Sequence, residues 1–589
     1  MNLRTPAWWR IVVIVAIISM LAQMSIAKKL YQERIYEPVV LRGEVLAPFY
    51  DVPIQQIFMY AYHESTRTWR MMPFQIDEME RGEDPFKPGN EAAWQDFYFL
   101  PSNGVLDLRD ELVFMIRDLG DRAPEDAWLD NEDARKFYRL EIKARNRHDP
   151  TNCAYGYLYR SATISDKVPA PYQFSFDVGS QCVATQFYAV RLSQQNGLIE
   201  DVIIKPPFGN GVDIFDTQKI RFVGIFDLGI ITIPIGKKGS QAANERDNLY
   251  VYQPDDLDYY HLYYTPKPVV RLIREVRHTI RFGTFLMHET AFYVRTKFYP
   301  FSGTIAGGAD LDPETLKKEF QMEEDIYVRL DLLRQSWDFN AAAIGMQFFN
   351  RNNQGVLIDG IPDSIDRKIM TPIREWTLTT GEQGSMFTFV EFNDSTWRDI
   401  QCYFYDNKLG GQGDGTFIDG GDTGDSVSYG DQGLLFQTHE RDSVSLKLNF
   451  SAYFLPGNLT QSDAFQLAYW AENPVAVSST TNLLSHVAPT EEADTLPQGI
   501  EWLSNYPNPF NGHTQLRFRL SEPSHICLKI INLKGQTVAV VARGWFEKGE
   551  HAIVWGALDE RRQPLSAGVY FYKLQTRNNS ITKKLLLIR

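Results

Sequence analysis

Val270-Arg271-Leu272-Ile273-Arg274-Glu275-Val276-Arg277-His278-Thr279-Ile280-Arg281-Phe282 reads as one long strand. Val270, Leu272, Val276 and Ile280 fall on one face, while Arg271, Glu275, Arg277 and Arg281 fall mostly on the other. Similar stretches lie on both sides. Ile57–His63, Thr68–Met72, Tyr138–Ile142, Cys153–Arg160, Tyr172–Phe176, Gln186–Leu192, Val202–Ile204 and Gly229–Ile235 precede it, and Ala291–Phe298 and Ile326–Leu333 follow. Helical signals are few; Asp312–Gln321, opened by Asp312-Pro313 in N-cap and N1 positions, is the candidate. The class is therefore all-β, with a body that forms a large antiparallel β-sandwich of one module or two.

The C-terminal stretch carries its own set of short strands. Asn505-Tyr506-Pro507-Asn508-Pro509-Phe510 is a stiff lead-in, because each proline fixes φ, removes a donor and pushes its predecessor to extended geometry. In Gln515–Leu520, Leu516, Phe518 and Leu520 alternate with Arg517 and Arg519. Ile526–Ile531, Thr537–Val541, His551–Trp555, Gly568–Gln575 and Ile581–Ile588 complete a small β-sandwich of immunoglobulin-like type. Taken in order, the Tyr506–Phe510 lead-in, the run Ser566-Ala-Gly568-Val-Tyr570-Phe-Tyr572 and the ending Lys583-Lys584-Leu-Leu-Leu-Ile-Arg589 resemble the type A C-terminal sorting domain of the bacterial type IX secretion system. The likeness covers about 85 residues and assigns the sorting signal to Tyr506, Pro507, Asn508, Pro509, Phe510, Gly568, Tyr570, Lys583 and Lys584. It implies the type IX machinery as a partner, and export to the outer-membrane surface or the medium, commonly with removal of the tail. One departure is visible: Trp555-Gly-Ala-Leu-Asp-Glu-Arg-Arg-Gln563 replaces the usual Trp-Asp-Gly-x-Asp-x-x-Gly turn.

The front end agrees with that address. Arg4 and Arg10 precede an apolar run, Ile11–Leu21, which is too short to span a bilayer, and Ser25-Ile26-Ala27 offers small residues for cleavage. Residues 1–27 read as a signal peptide, 28–475 as the body with a sub-boundary near 165, 476–499 as a flexible linker, and 500–589 as the sorting domain. No later stretch is apolar enough for a transmembrane helix. From Glu501 onward thirteen Lys and Arg face six Asp and Glu, a net of +7; with −14 for the whole chain, residues 1–500 carry −21. So acidic a body excludes nucleic acid, which needs clustered cations, and is compatible with divalent cations. Of four cysteines, Cys153 and Cys182 are near enough in sequence to bridge neighbouring strands in an oxidising compartment, whereas Cys402 and Cys527 read as free.

Candidate sites are few. Asp414, Asp419, Asp422 and Asp425, interleaved with glycines, offer hard oxygens on a backbone free to curl, which suits calcium; the same composition also makes an ordinary solvated loop. Asn103–Leu112 resembles half a calcium loop but reads better as a polar turn before a buried strand, and Asp359–Asp366 is a third acidic turn. The histidines form no metal-spaced pair, and no nucleophile elbow or phosphate loop occurs. In Asp255–Tyr264, Asp258, Tyr260 and His261 combine the residue types that a polysaccharide lyase or glycoside hydrolase uses as base, acid and charge stabiliser; a strand with an aromatic face is the plainer account. The expected function is a secreted surface protein whose body is a non-catalytic carbohydrate-binding or adhesive module, with polysaccharide as its partner and a lyase or hydrolase as the alternative.

Overall fold

The computed structural model describes residues 28–82, 95–98, 103–194, 197–227, 232–235, 257–282, 288–311, 327–368, 374–392, 399–409, 427–437, 444–482, 500–506, 508, 510, 514–532, 537–559, 565–566, 568–576 and 580–587. The chain divides into two compact units, Met1–Leu484 and Ser485–Arg589. Both are built from antiparallel sheets. The predicted helix at Asp312–Gln321 falls outside the described residues.

Within the first unit, a small sandwich comes first. A three-stranded sheet (Pro38–Arg42, Glu111–Met115, Gln75–Asp77) packs on a five-stranded one (Ala476–Asn482, Arg139–Arg145, Cys153–Arg160, Ile57–His63, Thr68–Met71). Val39, Leu41, Leu112 and Phe114 from one meet Met59, Ala61, Leu140, Ile142 and Leu158 from the other. The far face of the five-stranded sheet is also covered: Phe58, Tyr60, Tyr62, Tyr157 and Tyr159 pack with Trp128 and Leu129. That explains why Ile57–His63 is an unbroken apolar and aromatic run.

A larger sandwich follows. A five-stranded sheet (Thr232–Ile235, Phe215–Asp227, Tyr327–Phe339, Ser428–Gln437, Asp399–Asn407) faces a nine-stranded one. The latter runs Leu257–Tyr264, Leu272–Phe282, His288–Phe298, Ser302–Leu311, Val444–Leu455, Gly384–Phe392, Arg374–Gly381, Gln347–Phe349 and Val356–Leu357. Trp337, Phe339, Phe404 and Phe436 meet Phe348, Met386, Phe450 and Phe454 between them. Outside the nine-stranded sheet lies a helix, α1, Gln461–Glu472, opened by a capping box in which Thr460 and Asp463 exchange hydrogen bonds. Ala464, Leu467, Ala468 and Ala471 form its inner stripe, against Phe387, Phe389 and Leu455.

Two expectations are corrected. Ala476–Asn482, read as the start of a linker, is an edge strand paired along its length with Arg139–Arg145, from Ala476 opposite Arg145 to Asn482 opposite Arg139. Its Ser-Ser-Thr-Thr centre is polar because an edge strand buries little, and only Val477 reaches the core. Cys153 and Cys182 are not bridged: both are free, on strands of different sheets, and the Cys153 thiol donates to the Pro150 carbonyl at 3.1 Å.

Deleting Ala476–Asn482 is expected to cost about 2–3 kcal/mol, from lost valine burial and ladder hydrogen bonds, and to speed amide exchange in Arg139–Arg145. Unchanged urea midpoint and exchange would show that the strand contributes nothing. Thiol titration of the denatured, unreduced protein should return all four cysteines.

Candidate functional site

The sequence-predicted cluster lies at a sheet margin. Asp258, Tyr260 and His261 sit on Leu257–Tyr264, the edge strand of the nine-stranded sheet, opposite Thr279, Arg277 and Val276, with a register shift between His261 and Tyr263. The side chains of all three fall outside the described residues. The end of the same strand is described: Tyr263 stacks on Tyr98 at 6.1 Å.

Tyr98 opens onto a buried ionic cluster. Arg271, with no side-chain exposure, places Nε 2.8 Å from Asp77 and Nη2 2.5 Å from Glu111. Tyr98 donates to Glu111 at 2.8 Å, and Lys297 lies 3.3 Å from the same carboxylate. Gln75 accepts from the backbone N–H groups of Val269, Val270 and Arg271, and donates to Asp77 and the Arg271 carbonyl. Burial pushes the Asp77 carboxyl up despite its guanidinium partner. At Glu111 burial pushes the same way, but Arg271 and Lys297 together outweigh it and hold the carboxyl at about 2. Burial, reinforced by the charge of Arg271, lowers Lys297 to about 8. Burial raises the Tyr98 phenol, which keeps it in its neutral, protonated form. Every strong group here is committed to another, so the cluster is a structural junction.

A second place is open. A cavity of about 210 Å³ lies beneath α1, against the outer face of the nine-stranded sheet. Phe387, Phe389 and Glu391 share one face of Gly384–Phe392, and Ser451 and Tyr453 stand opposite Phe389 and Phe387 on the neighbouring strand. Leu467, Trp470 and Ala471 of α1 form the roof, and Arg34, Tyr36 and Glu37 close the side. Arg34 donates to the Trp470 and Asn473 carbonyls at 2.8 and 2.9 Å, capping the negative end of α1. Its Nε lies 2.6 Å from Glu37, whose other oxygen accepts from Val475 N–H at 3.3 Å. Burial raises Glu37 to about 7 against the pull of Arg34. Glu391 is partly exposed and paired with Arg374 at 3.0 Å. None of these residues was singled out from the sequence. The usable signals were the Thr460-x-x-Asp463 capping box and the alternation Phe387-x-Phe389-x-Glu391.

The acidic turns sort differently. Asp414, Asp419, Asp422 and Asp425 fall outside the described residues, on the connection between the paired strands Asp399–Asn407 and Ser428–Gln437. In Asn103–Leu112, Asp110 accepts from Met79 and Asp107 N–H, and Asp107 from Arg109 N–H, as a polar turn requires. Asp359 accepts from Ile361 N–H. Among the described residues no group of three or more His, Cys, Asp or Glu could hold a metal ion.

The second unit is a sandwich of a three-stranded sheet (Ile500–Tyr506, Thr514–Leu520, Gly549–Trp555) and a four-stranded one (Thr537–Phe546, Ser524–Asn532, Gly568–Gln575, Ser580–Leu587). The lead-in is strapped to the last strand. Phe510 is buried beside Trp555, its N–H donates to the Leu586 carbonyl at 3.0 Å, and it forms a parallel bridge with Leu587. Asn508 accepts from Leu586 N–H at 2.7 Å and donates to the Lys584 carbonyl at 3.2 Å. Tyr570 is buried and donates to the Ser566 carbonyl, while Lys583 and Lys584 are exposed and Gly568 opens the strand. Tyr506 pairs with Gln515; Pro507 and Pro509 fall outside the described residues. In the departing loop, Ala557 adopts φ 53°, a conformation that favours glycine, and its carbonyl accepts from Leu565 N–H at 2.9 Å.

Residues 504–588 match the family described as the secretion system C-terminal sorting domain. The tail is a type IX sorting domain. It makes the type IX machinery a partner and marks the chain as a secreted protein, at the cell surface or attached to the outer membrane. Among the described residues no helix is long and apolar enough to cross a membrane. No curated protein matches the chain in sequence. Among solved structures, an alpha-mannosidase from Enterococcus faecalis V583 is 10% identical with a TM-score of 0.33, over 89% of this chain and 55% of that one. A heparan sulfate lyase mutant from Pedobacter heparinus is 9% identical with a TM-score of 0.23, over 55% of this chain and 44% of that one. The chain thus spans little more than half of the mannosidase, and overlaps this loose assign no activity to it.

Arg271→Ala leaves Asp77 and Glu111 buried without their counter-charge and is expected to cost about 3–5 kcal/mol in urea unfolding. A loss below about 1 kcal/mol would mean that water reaches the junction. Because the folded state holds Glu111 near 2 against an ordinary 4.5, its contribution is full above pH 4.5 and is lost as pH falls toward 2. Asp77 acts in the opposite sense, so the readout is the difference between wild type and Glu111→Gln, which should shrink by about 3 kcal/mol across that window.

Proposed function

We propose that the body is a carbohydrate-binding module, displayed outside the cell by its sorting domain, and that the cavity beneath α1 is its binding site. That cavity carries the reading. Its volume of about 210 Å³ is room for on the order of ten water-sized positions. Its walls combine Tyr36, Phe387, Phe389, Tyr453 and Trp470 with Glu37, Glu391 and Ser451. Sugar rings offer C–H faces that lie on aromatic side chains and hydroxyls that bond carboxylates and a serine, so the mixture suits a saccharide better than a purely apolar or purely ionic ligand.

Binding without turnover is favoured by how the acids are engaged. Hydrolysis needs one carboxyl free to give a proton and a second free to act on the opposite face of the sugar. Glu37 is tied to Arg34 and to Val475 N–H, and Glu391 to Arg374. At the edge strand, Tyr263 packs on a phenol whose acidity burial suppresses, which does not favour a lyase base there.

A glycan array on the full mature chain should give binding to a defined set of saccharides with no new reducing ends or unsaturated products. Trp470→Ala, which keeps the backbone carbonyl used by Arg34, should weaken that binding about tenfold or more while the thermal midpoint holds within a few degrees. Product formation would replace this reading with the hydrolase or lyase one. An array without binding would overturn it.

A further inference from the structure

We propose that the outer face of the four-stranded sheet in the sorting domain docks on a phosphate-bearing lipid surface, with Arg543, Lys529 and Lys573 meeting the phosphates and Trp545 entering the headgroup layer. The four strands of that sheet contain Lys529, Arg543, Lys573, Lys583 and Lys584 and no aspartate or glutamate. Alternation with the core fixes the face. Ile526, Leu528 and Ile530 are buried, so Cys527 and Lys529 point outward; Tyr572 and Leu574 are buried, so Lys573 does too. Lys529 stands directly opposite Lys573, and Arg543 opposite Cys527. Like charges set opposite each other repel, and Arg543 adds a third about 7–8 Å away along the diagonal. Lys584, opposite Phe571, continues the diagonal on the other side. Among the described residues none of these cations forms an ion pair; the contact of the Arg543 guanidinium is with Cys527 Sγ at 3.8 Å. Lysines on edge strands guard against sheet-to-sheet pairing, but Ser524–Asn532 and Gly568–Gln575 are the central strands, so that account does not reach Lys529 or Lys573. The other sheet differs, since there Arg519 stands opposite Glu550. At the free edge, Trp545 is 65% exposed opposite His525, and Val540 is 38% exposed opposite Lys529. An acidic protein would answer the cations alone. Tryptophan and valine beside them favour a partner that is anionic at its surface and apolar beneath, as a lipid headgroup layer is. The chain is at the cell surface or attached to the outer membrane, where such a layer is at hand. With −14 over the whole chain, net charge opposes an anionic surface, so the attraction is local, within a Debye length of about 8 Å.

Co-sedimentation of the full mature chain with vesicles tests this, using phosphatidylcholine alone and an equimolar mixture of phosphatidylcholine and phosphatidylglycerol. The mixed vesicles are expected to bind at least about tenfold more tightly, and about 0.5 M salt to remove the difference. Lys529→Gln combined with Lys573→Gln should weaken binding to the mixed vesicles about tenfold or more, with the thermal midpoint unchanged or raised because a like-charge pair is gone. Trp545→Ala, at an exposed position, should weaken it about threefold or more. Neither change touches the sorting-signal residues. Arg517→Gln combined with Arg519→Gln removes the same charge from the other sheet and should change binding less than about twofold. Equal affinity for the two kinds of vesicle, or a loss as large in the arginine pair as in the lysine pair, overturns the proposal. So does the absence of binding to either vesicle; retention on immobilised polyglutamate in that case would give the face to an acidic protein instead.

Discussion

A guanidinium taken wholly out of water loses solvation worth several kcal/mol, and only close, well-aimed partners return it. Arg271 finds them on a different module. Asp77 and Glu111 belong to the three-stranded sheet of the small sandwich, whereas Arg271 immediately precedes the strand Leu272–Phe282 of the large one. The strand Glu111–Met115 makes this geometry possible because it is buried on both faces. Leu112 and Phe114 serve the small core, while Val113 and Met115 face Val270, Tyr299 and Phe301. Glu111 shares the parity of Val113 and Met115, so the strand that joins the modules by packing also carries the charge that fixes their register. Apolar contact tolerates sliding; a carboxylate 2.5 Å from a guanidinium does not.

The cavity depends on that junction. Glu37 accepts Ile116 N–H through its carbonyl, so the segment forming the cavity's side wall is hydrogen-bonded to the end of the joining strand, and it runs on into Pro38–Arg42, which pairs with that strand. Tyr36 packs edge-on to Phe301 at 5.2 Å, which ties the same segment to the large sandwich. With the modules so fixed, Arg34 arrives at the end of α1 and Glu37 at Arg34. Strands Gly384–Phe392 and Val444–Leu455 supply the floor by the same two-faced economy: Met386, Val390, Phe450 and Phe454 fill the sandwich, and Phe387, Phe389 and Tyr453 look out under the helix.

Where side-chain pattern and backbone state coincide, the strands were legible. Ile57–His63, Cys153–Arg160 and Gly568–Gln575 run as their sequences predict. The sorting domain was legible in more detail, because Phe510, Tyr570 and the final strand are ordered by local signals that recur as a motif. The cavity was not. Its walls come from residues 34–38, 387–391, 451–453 and 467–474, and no short window contains two of these groups. Arg271 was visible only as the polar phase of an alternating strand, where arginine ordinarily means solvent; burial by a second module reverses that inference. Ala476–Asn482 misled in the opposite direction, since a Ser/Thr-rich stretch at a sheet edge has the composition of a linker. Helix α1 was missed although its capping box is written in the sequence, because alanines replace the large apolar residues that usually mark an inner stripe.

The place of Ala476–Asn482 also sets an order in time. Its partner Arg139–Arg145 is made more than 300 residues earlier, and a chain that emerges from its N-terminus holds that edge unsatisfied until nearly the whole body has appeared. Contacts between segments so distant in sequence close late and slowly. The small sandwich is therefore first to begin and last to finish, and its final strand arrives just before the sorting domain. A body that has acquired its tail is one whose chain already contains every strand it needs, so completeness of the cargo and possession of the export address coincide.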